Sequence, residues 1–331
     1  MKSAIARLLG LCCVVLAPCI TFAAPQEVTF LMPAPPNLPG FAPWIIAQQK
    51  GYYAEQGLKV TLLAAKGGAD VAKQVGAGNA MFGAANGDTP LIVRDNGVPV
   101  KAVAVLGQHG YTMLATDAAA GITRLQQLKG KTISVMSYSD SLYYTLLASL
   151  RQAGMSKSDV SIQAAGPAGV WQLFASGKAD AMAGAPDWVV NAAESGKQLQ
   201  LLPDDQLFAS MAQSILASDD AIAHHPDQVR AMVRGTLMGL RDIIQDPSAA
   251  AKVFAAAVPG YEGKEQKVED IFALYISHVY GQQAHLGEIY PERVSKAQSF
   301  YLSEGIIRHR GDINSYFTNE FIPTDLPLGG S

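Results

Sequence analysis

The sequence predicts an α/β fold of two lobes, with the chain crossing twice between them. Three observations lead there. Short apolar runs alternate with glycine-bearing loops and helical spacings from Val28 to Leu202, the pattern of strands covered by helices. The pattern is interrupted at Gly107-Gln108-His109-Gly110, and a complete second series follows the break. Beyond an extended stretch at Met211–Ala217 the chain is nearly all helical.

The first unit sets the frame. Val28–Met32 is a short apolar run and reads as a buried strand. Pro33–Gly40 is too rich in Pro, Gly and Asn for helix or strand, so it is a loop. Pro43 suits the first turn of a helix, and helical spacing runs from Trp44 to Tyr53. Gly57 stops it, and Leu58–Leu63 is the next strand. A strand–loop–helix–strand unit implies parallel pairing. Ligands in such sheets lie beyond the carboxyl ends of strands, which makes Asn37–Phe41 one lip of a cleft.

The rest follows in order. Helices are predicted from Gly67 to Ala77 and over Leu91–Asp95, with strands at Met81–Ala84 and Val100–Leu106. Asp88 stands where a helix cap belongs, with Pro90 just inside. Tyr111–Thr116 is extended again; with the strand before it, it forms either a hairpin or a ribbon between lobes. The ribbon is preferred, because a new α/β series begins there. That series has strands at Thr132–Met136, Val160–Ala164, Ala179–Ala183 and Leu199–Leu202. Helices run from Leu142 to Leu150, over Gly169–Ser176, and on from Pro186. The helical remainder is Pro226–Gln245, Pro247–Ala257, Lys264–Tyr280 and Pro291–Glu304, and Phe317–Pro323 reads as an apolar clasp. Lobe 1 is thus residues 25–107 with 214–331, and lobe 2 residues 108–213.

Residues 1–23 read as a signal peptide. Lys2 and Arg7 precede an apolar run, Leu8–Ile20, which is too short for a membrane span. Thr21-Phe22-Ala23 places cleavage after Ala23 and makes the mature protein an exported one. Leu16-Ala17-Pro18-Cys19 resembles a lipoprotein box, but Pro18 stands where that motif wants a small, non-cyclic residue, so a lipid anchor at Cys19 is the lesser alternative. The three cysteines, Cys12, Cys13 and Cys19, all fall in this segment, so the mature chain needs no disulfides. The net charge is −3; without Lys2 and Arg7 it is −5. With no basic run, a nucleic-acid partner is disfavoured. A monomer is expected.

Several stretches resemble one family. They are Pro43-Trp44-Ile45-Ile46-Ala47, Lys50 to Leu58, Gly67 to Ala80, Leu128-Lys129-Gly130-Lys131-Thr132-Ile133, and Gly177-Lys178-Ala179-Asp180-Ala181. Together they resemble the type II periplasmic solute-binding proteins of ABC importers, in the group that binds aliphatic sulfonates, taurine, nitrate and thiamine-precursor pyrimidines. The resemblance covers most of residues 27–240. It implies a two-lobe periplasmic-binding-protein type II fold with two hinge crossings, a small-molecule ligand, and an ABC permease in the inner membrane as partner.

The resemblance also implies that ligand contacts come from loops at helix N-termini, where free N–H groups point outward. On lobe 1 the candidates are Asn37, Phe41, Trp44, Asp88 and Thr89. On lobe 2 they are Ser137, Ser139, Asp140, Ser141, Asp187 and Trp188, with His109 at the crossing. Each has a plainer reading. Asp88 caps its helix; Ser139 or Ser141 caps the next; Asp187, after Pro186, sits at the second or third helical position and favours the helix dipole. Trp44 and Trp188 are ordinary core. His109 makes a hinge hydrogen bond, since no partner stands at metal spacing.

No Gly-x-Ser-x-Gly elbow, phosphate loop or His-Glu-x-x-His occurs. Gly76-Ala77-Gly78 lacks the third glycine of a dinucleotide loop, so neither cofactor nor metal is expected. Three aspartates with Trp44, Tyr138, Tyr143 and Trp188, and no arginine, suit a nitrogen-containing ring such as an aminopyrimidine better than a free anion. Sulfonates and taurine stand close behind, because helix N-termini alone hold anions. The expectation is therefore capture of a solute, not catalysis. The alternatives are a pyrimidine-synthesising or other enzyme on the same scaffold, or a ligand-presenting module for a sensor.

Overall fold

A computed structural model describes residues 24–281 and 283–326; the leader expected over residues 1–23 lies outside them. Lobe 1 opens with β1 (Gln26–Met32), α1 (Ala42–Gln49), α2 (Tyr52–Glu55) and β2 (Leu58–Ala64). Then come α3 (Gly68–Gly76), β3 (Phe82–Asn86), α4 (Thr89–Arg94) and β4 (Val100–Val105). Lobe 2 holds β5 (Met113–Asp117), β6 (Thr132–Val135), α5 (Ser141–Gln152), β7 (Ser161–Ala164) and α6 (Gly166–Ala175). It closes with β8 (Ala181–Gly184), α7 (Pro186–Glu194) and β9 (Leu199–Leu201). The chain returns as β10 (Gln213–Ser218) and continues through α8 (Asp219–His224), α9 (Pro226–Gln245), α10 (Pro247–Ala257), α11 (Glu265–Tyr275) and α12 (Pro291–Ser303).

Two sheets result, ordered β2-β1-β3-β10-β4 and β7-β6-β8-β5-β9. In each, the strand arriving from the other lobe runs antiparallel to its neighbours: β10 against β3 and β4, β5 against β8 and β9. The crossings are residues 106–112 and 202–212, between β4 and β5 and between β9 and β10. They are tied together where the Leu106 N–H donates to the Gln213 carbonyl (2.7 Å). The expected clasp packs on the sheet edge, with Phe317 bridging Ala102 and Phe321 buried.

Three local differences from the sequence reading have clear causes. The helix expected to run from Trp44 to Tyr53 is two, α1 and α2, because Gly51 turns left-handed with φ 78°. The helix expected to Tyr280 ends as α11 and passes into a π-helical turn, Ile276–Tyr280. That turn stacks Tyr275 on Tyr280 with ring centres 5.2 Å apart. α8 was not expected; Ser218 caps it by accepting from the Ala221 N–H (3.1 Å).

α9 is the spine of lobe 1. Its apolar stripe, including Val229, Met232, Leu237 and Leu240, is buried, and small residues let α1 come close. A Cβ added at Gly239 would stand 2.1 Å from the Pro43 carbonyl oxygen. Gly239→Ala is therefore expected to lower stability by about 1–3 kcal/mol through overpacking, read as an earlier midpoint in urea.

Candidate functional site

The carboxyl ends of β1, β3, β6 and β8 all face the gap between the lobes. Two adjoining cavities lie there. The first is walled by Phe41, Tyr111, Trp188 and Tyr275, with Asp140, Asp187 and Gln213 among its polar groups. The second is lined by Asp88, Thr89, Ser141, Tyr144 and Tyr301 among others. Both are narrow where the lobes meet, with about 30 and 10 Å³ of enclosed space, so a ring-sized ligand enters only with the lobes apart. Among the described residues, no lysine, arginine or histidine lines either cavity.

Each aspartate sits at the head of a helix, yet none of the three side chains closes a capping bond. Asp88 precedes α4, and its carboxylate instead accepts from the Tyr301 hydroxyl (2.7 Å). Asp140 precedes α5, and its Oδ2 is buried with no partner in the protein. Asp187 is the second residue of α7 and accepts from the Tyr275 hydroxyl across the gap (3.2 Å). All three are buried, and burial pushes their pKa values up, to about 7 for Asp140 and about 6 for Asp88 and Asp187. The Leu142 and Ser141 amides oppose the shift at Asp140; the Tyr301 bond opposes it at Asp88, and the Asp187 amide and Tyr275 at Asp187. Tyr111 lies within the field of all three: burial raises its pKa well above the ordinary value, and the charges of Asp140, Asp88 and Asp187 add to the rise.

Five of the buried polar atoms without a protein partner belong to residues that line the first cavity or stand beside it in the sheet. They are Asp140 Oδ2, Trp188 Nε1, Gln213 Oε1, and Nδ2 and Oδ1 of Asn86. Buried polar groups are nearly always paired, with protein or with ordered water, so these atoms are open to a ligand or to water.

The residues expected from sequence divide accordingly. Phe41, Asp140, Asp187 and Trp188 line the first cavity, and Asp88, Thr89 and Ser141 the second. Ser137 and Ser139 stand at the seam, their hydroxyls 3.2 Å apart. Ser139 Oγ donates to the Lys66 carbonyl of lobe 1, and the Ala69 N–H donates to the Ser139 carbonyl (3.4 Å). Trp44 is wholly buried, packed against Phe30 and Phe41, and lines neither cavity. Asn37 is exposed on its loop and lines neither cavity. His109 is exposed at the crossing, its pKa pushed down by partial burial and by Arg293; the crossing is held instead by Gln108, which donates to the Glu288 carbonyl (3.2 Å). Tyr138 and Tyr143 pack edge to face outside the cleft. Sequence reasoning missed Tyr111, Gln213, Tyr275 and Tyr301. Among the described residues, no group of three or more His, Cys, Asp or Glu is placed to hold a metal ion. No helix among them is long and apolar enough to cross a membrane.

The lobes touch across the gap. Besides the Tyr275–Asp187 and Ser139 contacts, Arg151 of α5 pairs with Glu304 beside α12 (2.6 Å), and Lys267 of α11 pairs with Glu194 of α7. These bridges join groups distant in sequence, which is the arrangement of two jaws in contact.

Comparison with known proteins places this geometry. Among solved structures, the alkanesulfonate-binding protein SsuA from Xanthomonas axonopodis pv. citri, bound to MOPS, superposes with a TM-score of 0.69 at 19% identity, covering 90% of this chain and 99% of that one. The periplasmic nitrate-binding protein NrtA from Synechocystis PCC 6803 gives 0.66 at 13% identity, covering 90% and 87%. The two-lobe fold expected from the sequence is thus the fold of periplasmic binding proteins. In sequence, the riboflavin-binding protein RibY of Chloroflexus aurantiacus is 27% identical over 306 residues, 90% of this chain and 86% of its own length. The 4-amino-5-hydroxymethyl-2-methylpyrimidine phosphate synthase of Schizosaccharomyces pombe is 27% identical over 276 residues, 78% of this chain and 75% of its own. A family model described as NMT1/THI5 like matches residues 38–250, well over half of the sequence, and the chain belongs to the NMT1/THI5-like family.

Proposed function

We propose that the protein captures a planar, nitrogen-containing heterocycle carrying a pyrimidine ring, between lobes formed by residues 25–107 with 214–331 and by residues 108–213. On this reading it is exported, its leader cut near Ala23, and it works in the periplasm as the ligand-binding partner of an ABC permease in the inner membrane.

One observation carries the choice of ligand. The starts of α4, α5 and α7, where an anion would find free N–H groups, each carry a buried aspartate, and no lysine, arginine or histidine among the described residues lines either cavity, although Arg293 and Lys267 act on Asp88 and Asp187 from outside. A sulfonate or nitrate would meet carboxylates there. A ring bearing N–H or amino donors meets acceptors, between the aromatic walls of Phe41, Tyr111, Trp188 and Tyr275. The riboflavin-binding relative and the relatives named for an aminopyrimidine phosphate support the same class of ligand.

Calorimetric titration tests this. Riboflavin or 4-amino-5-hydroxymethyl-2-methylpyrimidine is expected to bind with saturation, and taurine, alkylsulfonates and nitrate are not. Saturating sulfonate or nitrate binding with no response to either heterocycle overturns the reading.

The relatives named as synthases favour one second reading, a pyrimidine-forming enzyme on the same scaffold. It predicts that a phosphorylated aminopyrimidine is released when the purified protein is denatured. Release of an unmodified heterocycle supports capture.

A further inference from the structure

Asn86 ends β3 and Gln213 begins β10, and the two are direct partners in the antiparallel register. Opposed residues of such a pair present their side chains on one face, and Gln213 lines the first cavity. Both are buried. Neither Nδ2 nor Oδ1 of Asn86 has a partner in the protein, and neither does Oε1 of Gln213. The backbone beneath them is firmly held. The Gly87 N–H donates to the Ala212 carbonyl (2.9 Å) and the Leu106 N–H to the Gln213 carbonyl (2.7 Å), while Ser214 Oγ donates to the Ala85 carbonyl (2.9 Å). A fixed base thus carries Asn86 Nδ2 and Oδ1 and Gln213 Oε1 unpaired. The opposite lobe brings Asp140 Oδ2, an acceptor, and Trp188 Nε1, a donor, both equally unpaired.

We propose that Asn86 and Gln213 are the specificity-determining pair, and that they read the hydrogen-bonding edge of a pyrimidine ring. Asn86 offers a donor and an acceptor side by side and Gln213 adds an acceptor. That set matches a ring edge on which ring nitrogens alternate with carbonyl or amino groups. A free aminopyrimidine and the pyrimidine ring of a flavin both present such an edge. A sulfonate or nitrate presents acceptors alone and leaves Asn86 Oδ1, Gln213 Oε1 and Asp140 unsatisfied. The inference rests on the capture reading above and deepens it.

Asn86→Leu and Gln213→Met keep the side-chain size and remove the polar atoms. Riboflavin, 3-methylriboflavin (whose edge is blocked) and 4-amino-5-hydroxymethyl-2-methylpyrimidine serve as probes, with affinity read by calorimetry and stability by melting of the free variants. The full chain is expected to bind riboflavin or the aminopyrimidine. Each variant should then lose at least about tenfold in affinity for the probe that binds, as sites built to bond a polar edge do when the bond is removed. The free variants should melt no lower than the parent, because an unpaired buried amide has been replaced by an apolar group. If riboflavin is the better probe, its 3-methyl form should lose a similar factor and a flavin is the source; tight binding of the aminopyrimidine alone assigns the free ring. Unchanged affinity in both variants overturns the edge reading and leaves capture standing. A melting temperature several degrees lower in both free variants marks the amides as structural and also overturns it. A parent that binds neither heterocycle overturns the capture reading and this inference together.

Discussion

Gly67→Ala is expected to hold the cleft open and to weaken heterocycle capture by about a hundredfold or more, since apparent affinity falls with the fraction of molecules able to close. Gly67 belongs to lobe 1, at the start of α3. A Cβ there would stand 2.5 Å from the backbone oxygen of Ser139, on the opposite lobe, and backbone gives way less readily than a side-chain tip. Gly67 also combines φ 99° with ψ 166°, a conformation essentially reserved for glycine, so alanine adds local strain of about 1–3 kcal/mol. Gly51→Ala separates the two effects. It also has a positive φ, +78°, in the milder left-handed helical region, with open space around it. Both variants should melt lower than the parent, Gly67→Ala the more so, and only Gly67→Ala should lose binding and the compact scattering profile. Equal affinity in both would mean that Gly67 does not meet Ser139 when ligand is held.

Asp140→Leu is expected to act in the opposite direction on shape. Shutting the cleft buries Asp140 Oδ2 without a partner, at a cost of about 1–3 kcal/mol for an unsatisfied buried group and more for a charged one. Leucine removes that cost. The free variant should be more compact than the parent and melt a few degrees higher at pH 8, while heterocycle affinity falls about ten- to a hundredfold with the lost bond. Lowering the pH should do to the parent part of what leucine does to the variant. Asp140, Asp88 and Asp187 keep their protons in the shut form up to about pH 7, 6 and 6, whereas an unfolded or solvated aspartate ionises near 4. Between those limits the shut form binds more protons, so its stability falls as pH rises and grows as pH falls from 8 toward 5. His109 works against this, because its lowered pKa makes the folded protein bind fewer protons near pH 6. A parent whose scattering and melting are flat from pH 8 to 5 would contradict the burial of these carboxyls.

The fold was legible where a single local signal governs. α9 and α10 begin at prolines, and their bounds, Pro226–Gln245 and Pro247–Ala257, agree with the sequence reading. The first crossing was legible because Gly107 and Gly110 interrupt an apolar strand, and the return because Met211–Ala217 is extended again after a complete second series. The aspartates at helix starts were legible from Ser-Asp-Ser and Pro-Asp-Trp, short motifs that place a carboxylate at a strand–helix corner. What pairs with them was not. Tyr301 reaches Asp88 across 213 positions and Tyr275 reaches Asp187 across 88, and helical spacing says which residues share a face but not what that face meets. Trp44 illustrates the limit: its position on α1 fits the lip and the core equally, and packing against Phe30 decides for the core. Asn86 and Gln213 stand out only once β10 is known to lie against β3, since neither belongs to a motif.

The central claim is that the shut cleft leaves polar groups unpaired and that a pyrimidine-bearing heterocycle satisfies them, so ligand drives the lobes together. X-ray scattering of the protein at pH 8, free and saturated with riboflavin or 4-amino-5-hydroxymethyl-2-methylpyrimidine, tests it most directly. The account predicts a smaller radius of gyration at saturation, reached in step with the calorimetric binding curve. Saturable binding with an unchanged radius of gyration would contradict it.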